Sequence, residues 1–388
     1  MKNYQVIWNG PVLKSTGIGT ASREYALALH RQGVDVKVAT NRSRPLLYTR
    51  NKLGVLSSLV KKPIAPKKTH ILIYHGLPNT LDLKKARKQY RYIVLNTVWE
   101  TTRIPTNWRP YMNRYDAVIV PSVQNKTAMK ASGVKVPVFI VPHGVNTQAF
   151  TPSNRKLPLS LKKGTFVFVS VFTFQHRKNP ETLLRAYWEE FSPKDRVALV
   201  IKTNGIGSKE SGSSIHRRIH AYKKKCRCGH TAPLHLITGH TSPQKLKALY
   251  ATGNAFVLPT RGEGVGLPFL EALSSGLPVI ATRWGGQMDF LNAKNSLLID
   301  YKLQPPVLSM KKSISRNFRN LFAQRGQLWA EPNLKHLKKQ MRFAYQHPAI
   351  CRQKGKQGRS DMRNHSWNRA GIAMKQAVAA VIRAKKSR

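Results

Sequence analysis

Short apolar runs that alternate with helix-length stretches constrain the fold of this chain more than any other sequence feature. The first series of runs reads QVIW, DVKVA, HILIY, RYIVL, DAVIV and VFIVP, and the last of these ends at residue 142. A second series starts at residue 165 and reads TFVFVSV, VALVIK, LHLITG, AFVLP and PVIAT. Strands that are separated by helices pair in parallel, so the pattern predicts two doubly wound α/β domains in tandem.

A polar segment separates the two series. TPSNRKLPLSLKKG occupies residues 151–164 and has the Lys and Pro content of a linker. It predicts a domain boundary near residues 146–164, with a first domain over residues 1–150 and a second domain over residues 151–365. Farther on, residues 304–320 are predicted as a loop, and NLKHLKKQMRFAYQ and WNRAGIAMKQAVAAVIRA are predicted as the last two helices.

The net charge is the unusual feature of the composition. The 388 residues include 67 Lys and Arg but only 16 Asp and Glu, a formal net charge of +51. Such a charge attracts polyanions, including nucleic acid, anionic lipid headgroups and nucleotide phosphates. A compositional habit of the organism explains it equally well. We expect a cytoplasmic protein, because no run approaches the roughly 18 apolar residues of a membrane span and the N-terminus lacks a secretory apolar region.

The cysteines and carboxylates do not predict a metal site. Three cysteines, Cys226, Cys228 and Cys351, argue against a disulfide framework and fit a reducing compartment. CRCGH offers two cysteines beside His230 but no second ligand pair at zinc spacing. The sequence also has no Asp-x-Asp pair, the usual ligand of a divalent cation on a nucleotide-sugar, so we expect metal independence and no cofactor.

The strongest chemical signal is LPTRGEGVGLPFLEALSSGLPVIATRWGG, residues 258–286. Glu263 lies in a glycine-rich turn, and a helix predicted to start near Pro268 contains Glu271. Glycines let a ligand approach the backbone, and the amides of a helix N-terminus stabilise phosphate without a metal. Two carboxylates eight residues apart can accept hydrogen bonds at both ends of an elongated ligand. An ordinary strand–turn–helix with solvated glutamates is the alternative interpretation.

This segment resembles the E-x7-E motif of family 4 glycosyltransferases. Those enzymes have the GT-B fold, in which two Rossmann-like domains face each other across a cleft, and they retain the anomeric configuration of the sugar. The resemblance implies that Glu263 contacts the transferred sugar and that Glu271 binds the ribose. It also implies a diphosphate contact from the intervening backbone, which comprises Gly264, Val265, Gly266 and Leu267.

The resemblance extends over nearly the whole chain. GPVLKSTGIGTASREYALALHRQGVDVKVAT looks like the opening strand, glycine loop and helix of the family, with Gly17 and Gly19 close to donor phosphate or acceptor. NTVWETTRIPTNW, YDAVIVPS and VPHGVNTQAF resemble the N-terminal domain. LWAEPN and SWNRAG resemble the C-terminal helices, the last of which commonly crosses back, so residues 366–388 are assigned to the first domain.

Family members usually carry an Arg and a Lys after the first strand of the second domain. Here SVFTFQHRKNPETLL has a matching Lys178, preceded by Arg177, whereas Thr173 replaces the usual Arg. The resemblance therefore predicts a phosphate contact from Lys178. Arg177 either substitutes for the missing Arg or is a solvated surface charge.

Four other residues are candidates by their position at predicted strand ends. Lys202 follows VALVI at an edge where α/β sheets bind ligands, although a snorkelling surface Lys fits equally well. Gly239 resembles the turn that borders the nucleotide base. Glu100 in VWETTR and His75 in LIYHGLPN are candidate catalytic residues that touch the acceptor or the reacting sugar, with simple loop hydrogen bonding as the alternative.

The leading hypothesis is a retaining, metal-independent, hexosyltransferase-like enzyme. It would transfer sugar from a nucleotide-sugar to a glycan, lipid-linked or other cellular acceptor, with peripheral contact at the inner face of the membrane through its positive charge. One rival hypothesis is a glycosyltransferase that acts on nucleic acid. The other is a catalytically silent GT-B protein that binds a glycan or polyanion.

Overall fold

The computed structural model describes residues 3–40, 50–206, 210–239, 241–311 and 313–384. The chain divides into two units. The first comprises Met1–Trp99, Arg103–Gly144 and His365–Arg388, and the second comprises Glu100–Thr102 and Val145–Asn364. Residues 385–388 of the predicted terminal segment lie outside the described residues.

The first unit is built on a six-stranded parallel sheet with the strand order β2-β1-β3-β4-β5-β6. Its strands are β1 (Tyr4–Asn9), β2 (Val36–Ala39), β3 (Thr69–His75), β4 (Tyr92–Asn96), β5 (Ala117–Val120) and β6 (Val138–Ile140). The central strands are buried along most of their length, as expected for a sheet covered by helices on both faces. Each of these strands matches a predicted apolar run.

The helices of the first unit include one from the far end of the chain. They are α1 (Gly17–Arg31), α2 (Arg50–Lys61), α3 (Leu83–Gln89), α4 (Arg109–Met112), α5 (Val123–Ala131) and α14 (Trp367–Ala384). The α14 helix packs on α1, where the ring centroids of Trp367 and Tyr25 are 5.4 Å apart. Tyr25 is 1% exposed and donates a hydrogen bond from its hydroxyl to the Val141 carbonyl at 2.7 Å. The prediction that the terminal helix returns to the first domain is therefore confirmed.

The second unit repeats this architecture with a parallel sheet in the order β12-β11-β10-β7-β8-β9. Its strands are β7 (Phe166–Thr173), β8 (Val197–Asn204), β9 (Leu234–Ile237), β10 (Ala255–Leu258), β11 (Val279–Thr282) and β12 (Ser296–Ile299). An antiparallel hairpin follows, made of β13 (Tyr301–Gln304) and β14 (Trp329–Pro332). The two parallel sheets establish the predicted α/β class with two Rossmann-like domains.

The helices of the second unit pack on its sheet around an apolar core. They are α6 (Pro180–Glu190), α7 (Gly212–Lys225), α8 (Pro243–Thr252), α9 (Leu267–Ser274), α10 (Pro306–Met310), α11 (Arg319–Phe322), α12 (Leu334–Gln346) and α13 (Pro348–Asp361). Short 3-10 turns occur at Thr106–Trp108, His176–Lys178, Gly286–Asp289 and Met362–Asn364. Among the helices described here, none is long and apolar enough to cross a membrane.

The region from residue 300 to residue 361 differs most from the prediction. The predicted loop over residues 304–320 contains the short helices α10 and α11. LWAEPN, expected to belong to the C-terminal helices, forms strand β14, because Trp329 is fully buried and pairs with Gln304. Helix α13 was not predicted, since its glycines and polar residues give a weak helical pattern.

Candidate functional site

The candidate site of the second unit lies where two central, adjacent strands end. Strand β7 runs into the 3-10 turn at His176–Lys178, and β10 runs into the glycine-rich turn before α9. Parallel strands end at the same edge of a sheet, so these two loops lie side by side. Open α/β sheets bind their ligands at this edge.

Lys178 and Arg177 converge on Glu263 from the opposite loop. The Lys178 ammonium contacts Oε1 of Glu263, and Nη1 of Arg177 lies 3.2 Å from the same oxygen. Nη2 of Arg177 is 3.4 Å from Oε1 of Glu100, which belongs to the second unit. The side chains of Glu263 and Lys178 are only 4% and 9% exposed, so both charges are withdrawn from water.

The charges around Glu263 determine its protonation. Burial by itself raises the pKa of this carboxyl, but Lys178 and Arg177 outweigh burial and lower the pKa below its ordinary value. For Glu100, burial dominates and raises the pKa, although Arg177 opposes the shift. Glu263 is therefore a carboxylate at neutral pH whose charge is matched by the two neighbouring cations.

Lys202 is buried and Arg177 is partly buried, although the sequence also allowed both to be solvated surface charges. Arg177 donates from Nη1 to the Gly262 carbonyl at 3.0 Å, and its side chain is 17% exposed. Lys202 is 5% exposed and donates from Nζ to the Gly239 carbonyl at 2.8 Å. Burial lowers the pKa of Lys202 to about 8. The structure thus brings together Lys202 and Gly239, two residues that the sequence placed in one site.

The turn before α9 has the geometry expected of an anion-binding helix start. Gly266 has a φ of +83° and is the N-cap residue, and a Cβ at this position would lie 2.5 Å from the ring of Phe269. A side chain at this position would be strained, so only glycine fits. Val265 is buried and Leu267 begins the helix, with Pro268 in its first turn. The first-turn amides of α9 therefore start directly after the Glu263 turn.

Glu271 is held by a tyrosine that the sequence gave no reason to select. Tyr250 on α8 is fully buried and donates from its hydroxyl to Oε2 of Glu271 at 2.8 Å. Burial raises the pKa of Glu271 to about 7, and the hydrogen bond from Tyr250 opposes the shift. Glu271 therefore titrates near neutral pH.

A polar cluster, buried except for its partly exposed Glu331, was also missed. It consists of His176, Glu181, Arg261 and Glu331, and it borders a cavity of about 1060 Å³. Arg261 stands in the glycine-rich motif two residues before Glu263, so the motif contained the only available signal. Glu331 comes from the unpredicted hairpin and could not have been found in advance.

His75 lies in the first unit, at the end of β3, among aromatic side chains. Its ring centroid is 5.9 Å from that of Trp8, and Tyr25 packs against both His75 and His143. Burial, with a smaller contribution from His143, lowers the pKa of His75 to about 3, and burial lowers that of His143 to about 4. Within the described part of the chain, the Nδ1 atoms of both histidines are buried without a hydrogen-bond partner. Both rings are neutral at physiological pH.

The two candidate glycines of the first unit lie in a helix rather than in a loop. Helix α1 begins at Gly17, and Thr16 caps it by accepting a hydrogen bond from the Gly19 amide at 3.3 Å. A Cβ at Gly19 would lie 2.1 Å from the Lys14 carbonyl oxygen. The expectation of a glycine loop was therefore wrong, because the helix starts earlier than expected, and Gly19 is required for the close packing of the preceding turn.

The Cys-x-Cys stretch forms no apparent metal site. The Cys228 thiol approaches the Cys226 carbonyl at 3.5 Å, and burial raises the pKa of Cys228. Across the described residues, no group of three or more His, Cys, Asp or Glu side chains could hold a metal ion.

Comparisons with known proteins agree with this geometry. Residues 163–306 match the profile of the family described as Glycosyl transferases group 1. The chain is 29% identical over 174 residues to a D-inositol 3-phosphate glycosyltransferase of Corynebacterium jeikeium, which is 42% of this chain and 40% of the relative. It is 24% identical over 181 residues to an alpha-monoglucosyldiacylglycerol synthase of Streptococcus pneumoniae, with coverages of 45% and 38%. The chain thus spans about two fifths of the length of these relatives.

A solved structure extends the likeness to the whole fold. The sucrose-phosphate synthase from Thermosynechococcus elongatus superposes with a TM-score of 0.69 over 98% of this chain and 100% of its own. At 17% sequence identity, this similarity shows a shared GT-B-like fold and leaves substrates open.

Proposed function

We propose that this chain, whose residues 163–306 match the profile of the family described as Glycosyl transferases group 1, transfers a hexose-like sugar from a nucleotide-diphosphate-sugar to a cellular acceptor. The observation that carries the proposal is the convergence of Lys178 and Arg177 on Glu263 at the carboxyl edge of the sheet. The two cations and the amides at the start of α9 suit a diphosphate. The carboxylate of Glu263 suits the hydroxyls of a sugar.

The donor side of the reaction follows from this arrangement. Without donor, Glu263 contacts both Lys178 and Arg177, and Arg177 also faces Glu100. A diphosphate placed at the α9 N-terminus would attract both cations, and Glu263 would then accept hydrogen bonds from the hydroxyls of the transferred sugar. As the bond to the sugar breaks, charge builds up on the leaving diphosphate, and Lys178, Arg177 and the helix amides stabilise it. This stabilisation is available without a divalent cation, so we propose a metal-independent enzyme that uses no cofactor.

Other residues of the second unit provide the remaining donor contacts. Glu271 lies about one turn into α9 and is the proposed ligand of the ribose hydroxyls. Lys202 and the Gly239 turn, joined by a hydrogen bond, are the proposed border of the base. The Lys202 ammonium also donates to Oδ1 of Asn204 and, at 3.5 Å, to the Thr203 carbonyl, so a base oxygen would replace the last and weakest of these three bonds.

Glu100 and His75 are the proposed groups nearest the reacting atoms and the acceptor. Glu100 is positioned by its contact with Arg177. This contact would weaken when the diphosphate attracts the Arg177 guanidinium. His75 is neutral, and its Nδ1 has no hydrogen-bond partner among the described residues. This nitrogen is the proposed hydrogen-bond partner of an acceptor hydroxyl. The backbone of Gly17 and Gly19, in the first turn of α1, is the proposed contact of the first unit. We further propose transfer with retention, by attack of the acceptor on the same face that the diphosphate leaves.

The proposed acceptor is a glycan or lipid-linked molecule, in preference to a nucleic acid. One relative is named for an inositol phosphate and the other for a glucosylated diacylglycerol, and neither name refers to a nucleic acid. A formal net charge of +51 favours peripheral contact with an anionic membrane, where each basic residue near the surface contributes about 1 kcal/mol.

The test is a thermal-shift screen with UDP-, GDP- and ADP-sugars in the presence of EDTA. A donor that binds only the folded chain raises the melting temperature. We expect one nucleotide class to do so and Glu271→Ala to abolish the shift, while Asp300→Asn, a change in a half-exposed surface pair, leaves it intact. Release of nucleoside diphosphate then reports turnover. If no nucleotide-sugar shifts the wild-type protein, or if the shift requires added metal, the corresponding part of the proposal fails.

A further inference from the structure

We propose that the ion pair between buried Arg261 and partly buried Glu331 is a positioning element that fixes the two donor-site loops at the separation required for donor binding. Neither residue is placed against the donor, so the role is distinct from catalysis. The inference rests on the proposed function for its consequence in the reaction, but its structural part can be tested without any donor.

Two arginines cross-link the loops in opposite directions. The guanidinium of Arg261, from the β10 loop, donates from Nη1 to the His176 carbonyl at 2.7 Å. The guanidinium of Arg177, from the β7 loop, donates in return to the Gly262 carbonyl at 3.0 Å. Between them, the Arg261 amide donates to the Arg177 carbonyl at 2.7 Å. Each loop is thereby held by hydrogen bonds through backbone atoms adjacent to the residues that would contact the donor.

Glu331 orients the Arg261 guanidinium. Nε and Nη2 of Arg261 donate to the two carboxylate oxygens of Glu331 at 2.7 and 3.0 Å, a bidentate arrangement. The backbone adds a further bond, because the Ala330 amide donates to the Arg261 carbonyl at 2.9 Å. The other strand of the hairpin supports Glu331, since the side-chain amide of Gln304 donates from Nε2 to Oε2 of Glu331 at 3.1 Å. The β13–β14 hairpin is therefore the support on which the β10 loop rests.

The burial of Arg261 makes these contacts costly to lose. Its side chain is 5% exposed, so the loss of a carboxylate partner would leave the guanidinium charge poorly hydrated. Its second carboxylate neighbour, Glu181, lies 3.4 Å from Nη1, but that carboxylate also accepts the Ile314 amide at 2.8 Å. Glu181 is therefore already committed to the segment after α10. If Glu331 were removed, Arg261 would have to turn toward Glu181, and the bond to the His176 carbonyl would be the one placed at risk.

The expected consequence is a displacement of Lys178 and Arg177 relative to Glu263. Misplacement of a contact group by about 1 Å can reduce the rate about 100-fold. Because Lys178 and Arg177 face a diphosphate while Glu263 faces the sugar, the loss should appear in donor kcat/KM. It should not appear in the KM of the acceptor to the same extent.

Three variants separate positioning from simple stability. Glu331→Gln removes one of the two charge-assisted bonds to Arg261. The double variant Arg261→Met with Glu331→Leu replaces the pair with apolar side chains of similar volume, which is often neutral or stabilising for the fold. Asp300→Asn is the matched control, because Asp300 lies at the base of the same hairpin in a half-exposed pair with Arg283.

Two readouts are taken for each variant: donor kcat/KM, and hydrogen exchange of the peptide that contains the Arg261 amide in the ligand-free protein. We expect Glu331→Gln to speed this exchange and to lower donor kcat/KM about 100-fold, and Asp300→Asn to change neither. The double variant should melt near the wild-type temperature and still exchange fast and turn over slowly. Recovery of both exchange protection and turnover in the double variant would overturn the proposal. A different result is possible if the wild-type protein binds no nucleotide-sugar. Fast exchange in the variants would then support the positioning role, while the absence of donor binding would refute the glycosyltransferase function.

Discussion

Replacing Glu263 with glutamine is expected to weaken the fold and at the same time strengthen the binding of a free nucleoside diphosphate. The carboxylate of Glu263 is the shared partner of Lys178 and Arg177, and its side chain is 4% exposed. Glu263→Gln keeps the volume and removes the charge. Arg177 retains Glu100 as a partner, but Lys178 becomes a buried cation without its carboxylate.

The magnitude follows from the burial of this cluster. Breaking a buried ion pair by removing one partner costs about 3–5 kcal/mol. For a unit of the size of Val145–Asn364, each kcal/mol lowers the melting temperature by about 2–4 °C, so the expected loss is roughly 6–20 °C. A diphosphate then meets Lys178 without its carboxylate and Arg177 paired only with Glu100. A tenfold tighter Kd would return about 1.4 kcal/mol, or about 3–6 °C.

The assay is differential scanning fluorimetry of wild type and Glu263→Gln, with and without UDP, GDP or ADP, paired with donor turnover. The variant should melt lower, show the larger shift with its nucleotide, and transfer no sugar. Glu189→Gln is the control, since the Arg185–Glu189 pair is exposed and worth at most about 1 kcal/mol. Each kcal/mol corresponds to about 2–4 °C, so a melting temperature of Glu263→Gln within 2 °C of that control would refute the reasoning. Weaker binding of the diphosphate than in wild type would refute it as well.

Three further predictions concern single groups. Because burial raises the folded-state pKa of Glu271 to about 7, its stabilising effect is complete below the unfolded pKa and is lost as pH rises through 7. Glu271→Gln should therefore melt higher than wild type at pH 8 but not at pH 4, and wild-type donor affinity should rise through pH 7 as the carboxylate forms. Tyr250→Phe removes the hydroxyl donor to Glu271, so the donor KM should rise about tenfold with kcat nearly unchanged, in steady-state kinetics. Gly19→Ala should lower the melting temperature by several degrees through its clash with the Lys14 carbonyl, whereas Gly54→Ala, also in a helix but in open space, should raise it by the equivalent of about 1 kcal/mol.

The glycine-rich motif shows how far local sequence can specify a site. Pro268 and the glycines before it act through their own backbone preferences, so the turn and the start of α9 follow from sequence alone. The proximity of Lys178 to Glu263 could not be predicted from local sequence, because the two residues lie 85 positions apart. Only the resemblance to a family placed them together in advance. The burial of Arg177 and Lys202 was undecided for the same reason, since it depends on neighbours from other loops.

The residues that support the site were beyond the sequence. Tyr250 is one apolar position of an amphipathic helix, and nothing local distinguishes a core tyrosine from one that holds a carboxylate. Glu331 lies in a strand of only four residues, which pairs with a partner across a long connection. Short strands carry little periodicity, so their pairing depends on what they pack against.

By itself, the sequence determined the two parallel sheets, the glycine-rich turn and the carboxylates of its motif, because apolar periodicity and backbone preference are properties of neighbouring residues. Three contacts were decided by the tertiary structure alone. They are the cations that face Glu263, the hydrogen bond from Tyr250 to Glu271, and the hydrogen bonds between the β13–β14 hairpin and Arg261. The physical reason is that a buried charge is stabilised only by partners within a few ångströms. Those partners come from segments that folding, and not chain order, brings together.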